Sequence, residues 1–142
     1  MALDNWIVYA FASAIFAALT AVLGKIGVQS INSNFATFVR TVVILLFIAG
    51  IVTWQRQWTS PSEWKLRSIL FLVLSGLATG ASWLCYYRAL QLGPVSKVAP
   101  IDKMSVALAI VLAVVFLGEK LDLKTVVGGL LVIAGSVVLA LG

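Results

Sequence analysis

Histidine is absent from the 142-residue sequence, cysteine occurs once, proline three times, and only five side chains are acidic. Without histidine there is no nucleophile–histidine pair for covalent catalysis and no imidazole for a metal centre, and no cluster of other ligands stands in for it. The lone Cys85 excludes an internal disulfide and, within an apolar stretch, reads as a small apolar filler. No phosphate-cradling loop, internal repeat or low-complexity tract is present. These absences predict a protein that is not an enzyme and carries no cofactor or metal. Charge is scarce too: 11% of residues are charged, against about 25% in a soluble domain. The net charge is +5, but basic residues beside apolar runs set membrane topology, so no nucleic-acid partner is implied.

Hydrocarbon fills the chain instead. Hydrophobic residues make up 62% of it, and mean hydropathy is +1.10. At about 20 residues per crossing, this predicts an all-α integral membrane protein. It forms a single domain over 1–142, with five transmembrane helices near 6–28, 35–54, 69–90, 96–117 and 123–141. The lipid bilayer is its first partner. The N-terminus lacks a basic segment and a cleavage site, so it is expected to remain in the mature protein.

Local signals mark the ends of these spans. Asp4 or Asn5 can cap the first, and the polar run 29–34 turns the chain into the second. Ser60-Pro61-Ser62-Glu63 has the order of a helix start. Trp54, Trp58 and Trp64 read as an interfacial aromatic belt. Gly118 suits a helix C-terminus and Asp122 an N-cap. Pro100 falls in the first turn of span 4 or kinks it.

Inside the spans, small residues and charges stand out. In span 3 the residues Gly76, Thr79, Gly80, Trp83, Tyr86 and Tyr87 share one helical face, which is either ordinary packing or the wall of a binding cavity. Gly128, Gly135 and Gly142 recur every seven residues, as do Gly129 and Ser136. That stripe suits close helix contact within the chain or between chains. Ionisable groups are costly in hydrocarbon, yet Arg88, Lys97, Asp102 and Lys103 crowd the corner at Gly93-Pro94. Arg40 lies ~9 Å inside span 2 at the helical rise, deep enough to suggest function over snorkelling. Lys25 reads more simply as snorkelling to the interface. Asp102 is the one acid within a span. It and Lys103 are adjacent, so about 100° apart, which predicts that Asp102 pairs with a base from another helix, Arg40 or Arg88.

Alternation of five spans places Lys25, Arg40, Arg88, Lys97, Asp102 and Lys103 in one half of the membrane. Arg56, Lys65, Arg67, Lys120 and Lys124 occupy loops on the other. The ten Lys and Arg thus divide five and five. Loop residues alone favour a cytoplasmic N-terminus, and dual topology is the alternative.

The run Cys85-Tyr86-Tyr87-Arg88-Ala89-Leu90, Gly93-Pro94-Val95-Ser96-Lys97 and Pro100, then Leu117-Gly118-Glu119-Lys120, Gly128-Gly129 and Ala134-Gly135, resembles the EamA domain of the drug/metabolite transporter superfamily. Lys25-Ile26-Gly27 and Arg40 also sit where such domains carry like residues. The resemblance covers the whole chain, but as one repeat of five spans where typical members have two repeats and ten. Asp102-Lys103 replaces more apolar residues, so the substrates of well-known members do not carry over. Span 1 has no acid beyond Asp4 at its mouth, so the proton coupling of the small multidrug members does not either.

The resemblance implies an inner-membrane transporter, most simply an exporter, of amino acids or related metabolites working by alternating access. The residues assign roles within it. Arg40, Arg88, Lys103 and Lys25 would hold a carboxylate or phosphate of a small-molecule substrate. Asp102 would hold an ammonium group or a coupling proton, and Trp83, Tyr86 and Tyr87 the apolar part. Gly128, Gly129, Gly135 and Ser136 would join two copies in a homodimer, antiparallel if one repeat must supply its own inverted mate. Two other readings stay open: a flippase subunit for a phosphorylated lipid carrier, and a non-transporting membrane scaffold.

Overall fold

The computed structural model describes residues 5–142, so the Asp4 cap lies outside the described residues. Among them the regular structure is helical throughout: α1 (Asn5–Gly27), α2 (Ser33–Trp54), a 3-10 turn (Pro61–Glu63), α3 (Leu66–Leu92), α4 (Val95–Lys103), α5 (Ser105–Leu112), a π-helical turn (Ala113–Leu117) and α6 (Leu123–Leu141). Five stretches are long and apolar enough to cross a membrane, the fourth being Val95–Leu117. The expected all-α membrane architecture holds. Large apolar side chains such as Phe11, Phe47 and Leu72 stand outward, which only a lipid environment tolerates at this density.

The chain forms two compact units, Gly24–Gln91 and 1–23 with 92–142. In the first, the buried residues gather where α1 ends, α2 begins and α3 ends. Val28 and Leu90 are fully enclosed, and Ser33, Ala36, Thr37 and Tyr87 join them. Small side chains allow this approach. A Cβ on Gly24 would lie 3.1 Å from the Tyr87 hydroxyl, so glycine is what lets the ring in. The buried Thr37 hydroxyl donates to the Ser33 carbonyl at 2.9 Å, so no polar atom there is stranded.

Helix α2 is capped at both ends. The Asn32 side chain accepts from the Asn34 N–H at 2.9 Å. At the far end Gln57 N–H donates to the Val52 carbonyl at 2.9 Å and Arg56 N–H to that of Thr53 at 3.1 Å, the paired bonds of a Schellman ending. Its left-handed position is held by Arg56, at φ 54°, where glycine is usual. Trp58 folds back, its indole N–H donating to the Thr53 hydroxyl at 3.0 Å. The Ser60 signature yields less than expected. Glu63 and Trp64 N–H groups close a single turn on Ser60 and Pro61, then Trp64 turns extended and α3 starts afresh at Leu66.

In the second unit, α4 and α5 pack on α6. Pro100 lies inside α4 and offers no N–H to the Ser96 carbonyl. Four residues on, Met104 N–H donates to Ile101 at 3.0 Å and α4 gives way to α5, so span 4 is broken rather than continuous. After the π turn, Gly118 at φ 69° ends the span, as its position suggested. Asp122 caps α6 as expected, accepting from the Thr125 N–H at 2.8 Å. Hydrogen bonds from the Thr125 side chain and backbone hold this carboxyl below its ordinary value, so the cap is complete above the usual carboxylate range and lost as pH falls through the lowered pKa. The small residues of α6 divide into two rows. Gly129 lies against Ile110 of α5 and Ser136 is buried, whereas Gly128 and Gly135 are exposed with open space beyond them.

Left-handed backbone disfavours a Cβ by roughly 1–2 kcal/mol. Gly118→Ala is therefore expected to lower the unfolding temperature of the detergent-purified protein, and Arg56→Gly to raise it. Differential scanning fluorimetry checks both, and the same sign for both would refute the backbone assignment.

Candidate functional site

Arg40 is the eighth residue of α2, about 10 Å along the helix from Ser33. Its guanidinium carbon lies 4.0 Å from the centre of the Trp83 ring and 5.4 Å from that of Tyr87. Both rings come from the face of α3 picked out by its periodicity. Stacking of this kind is worth ~0.5–1 kcal/mol at exposed sites and ~2 or more where water is excluded. It holds the guanidinium through the ring faces, and no hydrogen bond from Arg40 is made among the described residues. No carboxylate among the described residues answers this charge. Tyr86 meets Tyr87 edge-on, ring centres 6.4 Å apart. Tyr87 itself is enclosed against Gly24 and so serves as a fixed wall. Gly76 and Gly80, lower on α3, face open space, and Thr79 bonds the Ser75 carbonyl of its own helix.

Beside this centre the ends of α1 and α3 cap one another. The last carbonyls of a helix have no partner within it. Lys25 on α1 donates to the Leu90 carbonyl of α3 at 2.6 Å. In return the Gln91 amide of α3 donates to the Val28 carbonyl at 3.3 Å and to that of Ile31 at 3.1 Å. Arg88 donates to the Gln91 oxygen at 2.7 Å, which turns the amide nitrogen toward α1. Lys25 thus binds a helix end rather than merely snorkelling, and Arg88 is in part a positioning group. Gln91 was missed by the sequence reading, for glutamine near a helix end carries no motif.

On α4 the structure corrects one expectation. Asp102 pairs with its neighbour Lys103 at 3.2 Å, not with a base from another helix. Helical geometry sets adjacent Cβ atoms apart, but the long lysine stem swings across the gap; Lys103 is exposed and Asp102 half-buried. Three features thus stand apart: in the unit Gly24–Gln91 an arginine without a counter-ion among the described residues and a cross-capped corner, and in the other unit a self-contained acid–base pair. The first can take an anion. The third can exchange Lys103 for another cation.

Residues 4–141 match the model of the EamA-like transporter family. The chain is 55% identical over 137 residues to a Sinorhizobium sp. protein described as an uncharacterized transporter in the cobO 3' region, with 96% of this chain and 97% of that relative covered. No solved structure matches the chain.

If Gln91 joins the two helix ends, Gln91→Leu should lower stability by about 1 kcal/mol, since carbonyls left unpaired cost ~1–3 kcal/mol when buried, and here one bond is part-buried and the other exposed. Arg88→Ala combined with Gln91→Leu should then cost less than the two changes summed. Additive losses in a double-mutant cycle would show that Arg88 does not orient the amide.

Proposed function

The chain belongs to the EamA-like transporter family, and on that premise we propose that this membrane transporter exports small polar or zwitterionic metabolites, amino acids among them. The observation that carries the reading is Arg40, seated over the Trp83 ring at 4.0 Å within a span and facing no carboxylate among the described residues. A planar carboxylate meets the guanidinium edge through two parallel hydrogen bonds, while indole and phenol rings offer an apolar and π surface beside it. Asp102 takes the ammonium group or a coupling proton, and either event releases Lys103 from its pair. Lys25 and Arg88, tied to the α1–α3 corner, add positive potential and couple the helix ends to occupancy.

The inner membrane is the proposed location, with the N-terminus in the cytoplasm. Alternating access requires a site opened to each side in turn, commonly by inverted repeats. A single five-helix repeat would find its mate in a second copy, and a dimer is the proposed unit. Gly128 and Gly135, exposed on α6, are the proposed contact, and the even five-and-five division of basic residues favours an antiparallel pair.

Uptake of radiolabelled amino acids into inside-out vesicles tests the cargo. Arg40→Gln should reduce transport at least tenfold, as loss of a charge-assisted pair costs ~1.5–3 kcal/mol. Arg40→Lys should not restore it, because lysine neither stacks flat nor forks. Wild-type transport by Arg40→Gln, at unchanged expression, would overturn the assignment.

Orientation is tested separately. Single cysteines in the Ser60 loop and at the C-terminus of a Cys85→Ala protein should each label from both sides of the membrane. Labelling from one side alone would exclude the antiparallel homodimer.

A further inference from the structure

One glycine in the last turn of α1 has no conformational reason to be a glycine. Gly24 keeps an ordinary helical backbone, its carbonyl accepting the Val28 N–H at 3.0 Å, and a helix favours alanine over glycine. Space is the reason that remains. A Cβ here would stand 3.1 Å from the Tyr87 hydroxyl oxygen and 3.3 Å from the ring carbon that bears it, with Leu90 at an ordinary 3.6 Å. At Gly27, three residues on, the same atom would meet nothing within 4 Å.

Neither side of that contact yields easily. Three hydrogen bonds hold the end of α1 against that of α3: Lys25 to the Leu90 carbonyl, and Gln91 to those of Val28 and Ile31. Tyr87 is buried and its ring is rigid, so pressure on the hydroxyl displaces the ring as a whole. That ring lies 5.4 Å from the Arg40 guanidinium. Trp83, four residues earlier on the same face of α3, lies 4.0 Å from it. Tyr87 is thus wedged between a glycine of α1 and the arginine of α2.

We propose that Gly24 is a positioning residue of the Arg40 centre. By leaving room for the Tyr87 hydroxyl, it sets where the guanidinium rests against Trp83 and Tyr87, and so how its N–H groups meet a cargo carboxylate. The seat is built within the unit Gly24–Gln91 alone. Its bearing on cargo rests on the function proposed above. If Gly24 served packing only, an added methyl group would change stability without reaching Arg40, and its effect would not depend on the Tyr87 hydroxyl.

Two readouts separate the seat from the cargo. With the exposed Trp6, Trp54, Trp58 and Trp64 replaced by phenylalanine, the emission of Trp83 in the full chain reports the guanidinium above it. Arg40→Gln supplies the emission of the bare ring. Gly24→Ala should move the emission at least halfway to that reference. Adding Tyr87→Phe to Gly24→Ala should return it, because the atom at 3.1 Å is then gone. Transport is read in vesicles with whichever radiolabelled amino acid the wild type takes up fastest. There Gly24→Ala should raise KM roughly two- to fivefold at unchanged maximal rate, the loss of one exposed cation–π contact. The double variant should restore KM, and Gly27→Ala should leave it unchanged. Unaltered Trp83 emission in Gly24→Ala, or a shift that Tyr87→Phe does not reverse, would overturn the proposal. So would a Gly24→Ala protein that does not fold, or one that loses maximal rate at unchanged KM, since either reduces Gly24 to packing. If the wild type takes up no amino acid, the proposed cargo is wrong, and Trp83 emission alone decides the role of Gly24.

Discussion

The last carbonyls of a helix have no partner within it, and the corner joining α1, α2 and α3 is arranged around that constraint. Lys25 reaches from α1 to the last turn of α3, and Gln91 reaches from α3 back to the chain leaving α1. Each helix supplies the donor that the other lacks. The packing beneath follows from this exchange. Val28 and Leu90, fully enclosed, sit next to the carbonyls being capped, and Gly24 gives way to Tyr87, one of the two rings under Arg40. The polar bonds are few, but they fix which surfaces of α1 and α3 can meet.

That corner also explains why one cation is available and others are not. Lys25 and Arg88 are engaged in holding helix ends, and Lys103 is engaged by Asp102. Arg40 is held by ring faces, which orient a guanidinium without satisfying its hydrogen-bonding edge. Of the two arginines, Arg88 gives an N–H to Gln91, whereas Arg40 makes no hydrogen bond among the described residues. A binding residue must be fixed in place and chemically unsatisfied at once, and stacking achieves that where a salt bridge would not.

What could be read from the residues was what depends on near neighbours. Hydropathy placed the five spans, since a span is a continuous property of the chain. α2 ends at Trp54 as expected, and starts only two residues before the expected Phe35. Asp122 and Gly118 were legible because a cap is completed within a turn of helix. The shared face of Trp83 and Tyr87 followed from the helical period. Their partner did not, because which helix lies opposite is set by packing. The same limit hid Gln91. Lys103 misled for another reason: the angle between neighbouring Cβ atoms says little about where four methylenes can carry a charge. At Ser60 the local pattern was honoured for one turn, then the chain turned extended at Trp64.

Arg56 closes the end of α2 in the left-handed conformation that glycine adopts freely, while Trp58 doubles back to Thr53 beside it. Two demands meet at this position. The backbone favours a residue without a Cβ, and the edge of a membrane span favours a positive side chain. No amino acid answers both, so the loop keeps a local frustration that the rest of α2 lacks. Such a point opens at lower free energy than its surroundings. Motion in α2 should therefore begin at its Trp54 end, leaving Arg40 and its aromatic floor seated on the part of the helix that moves last.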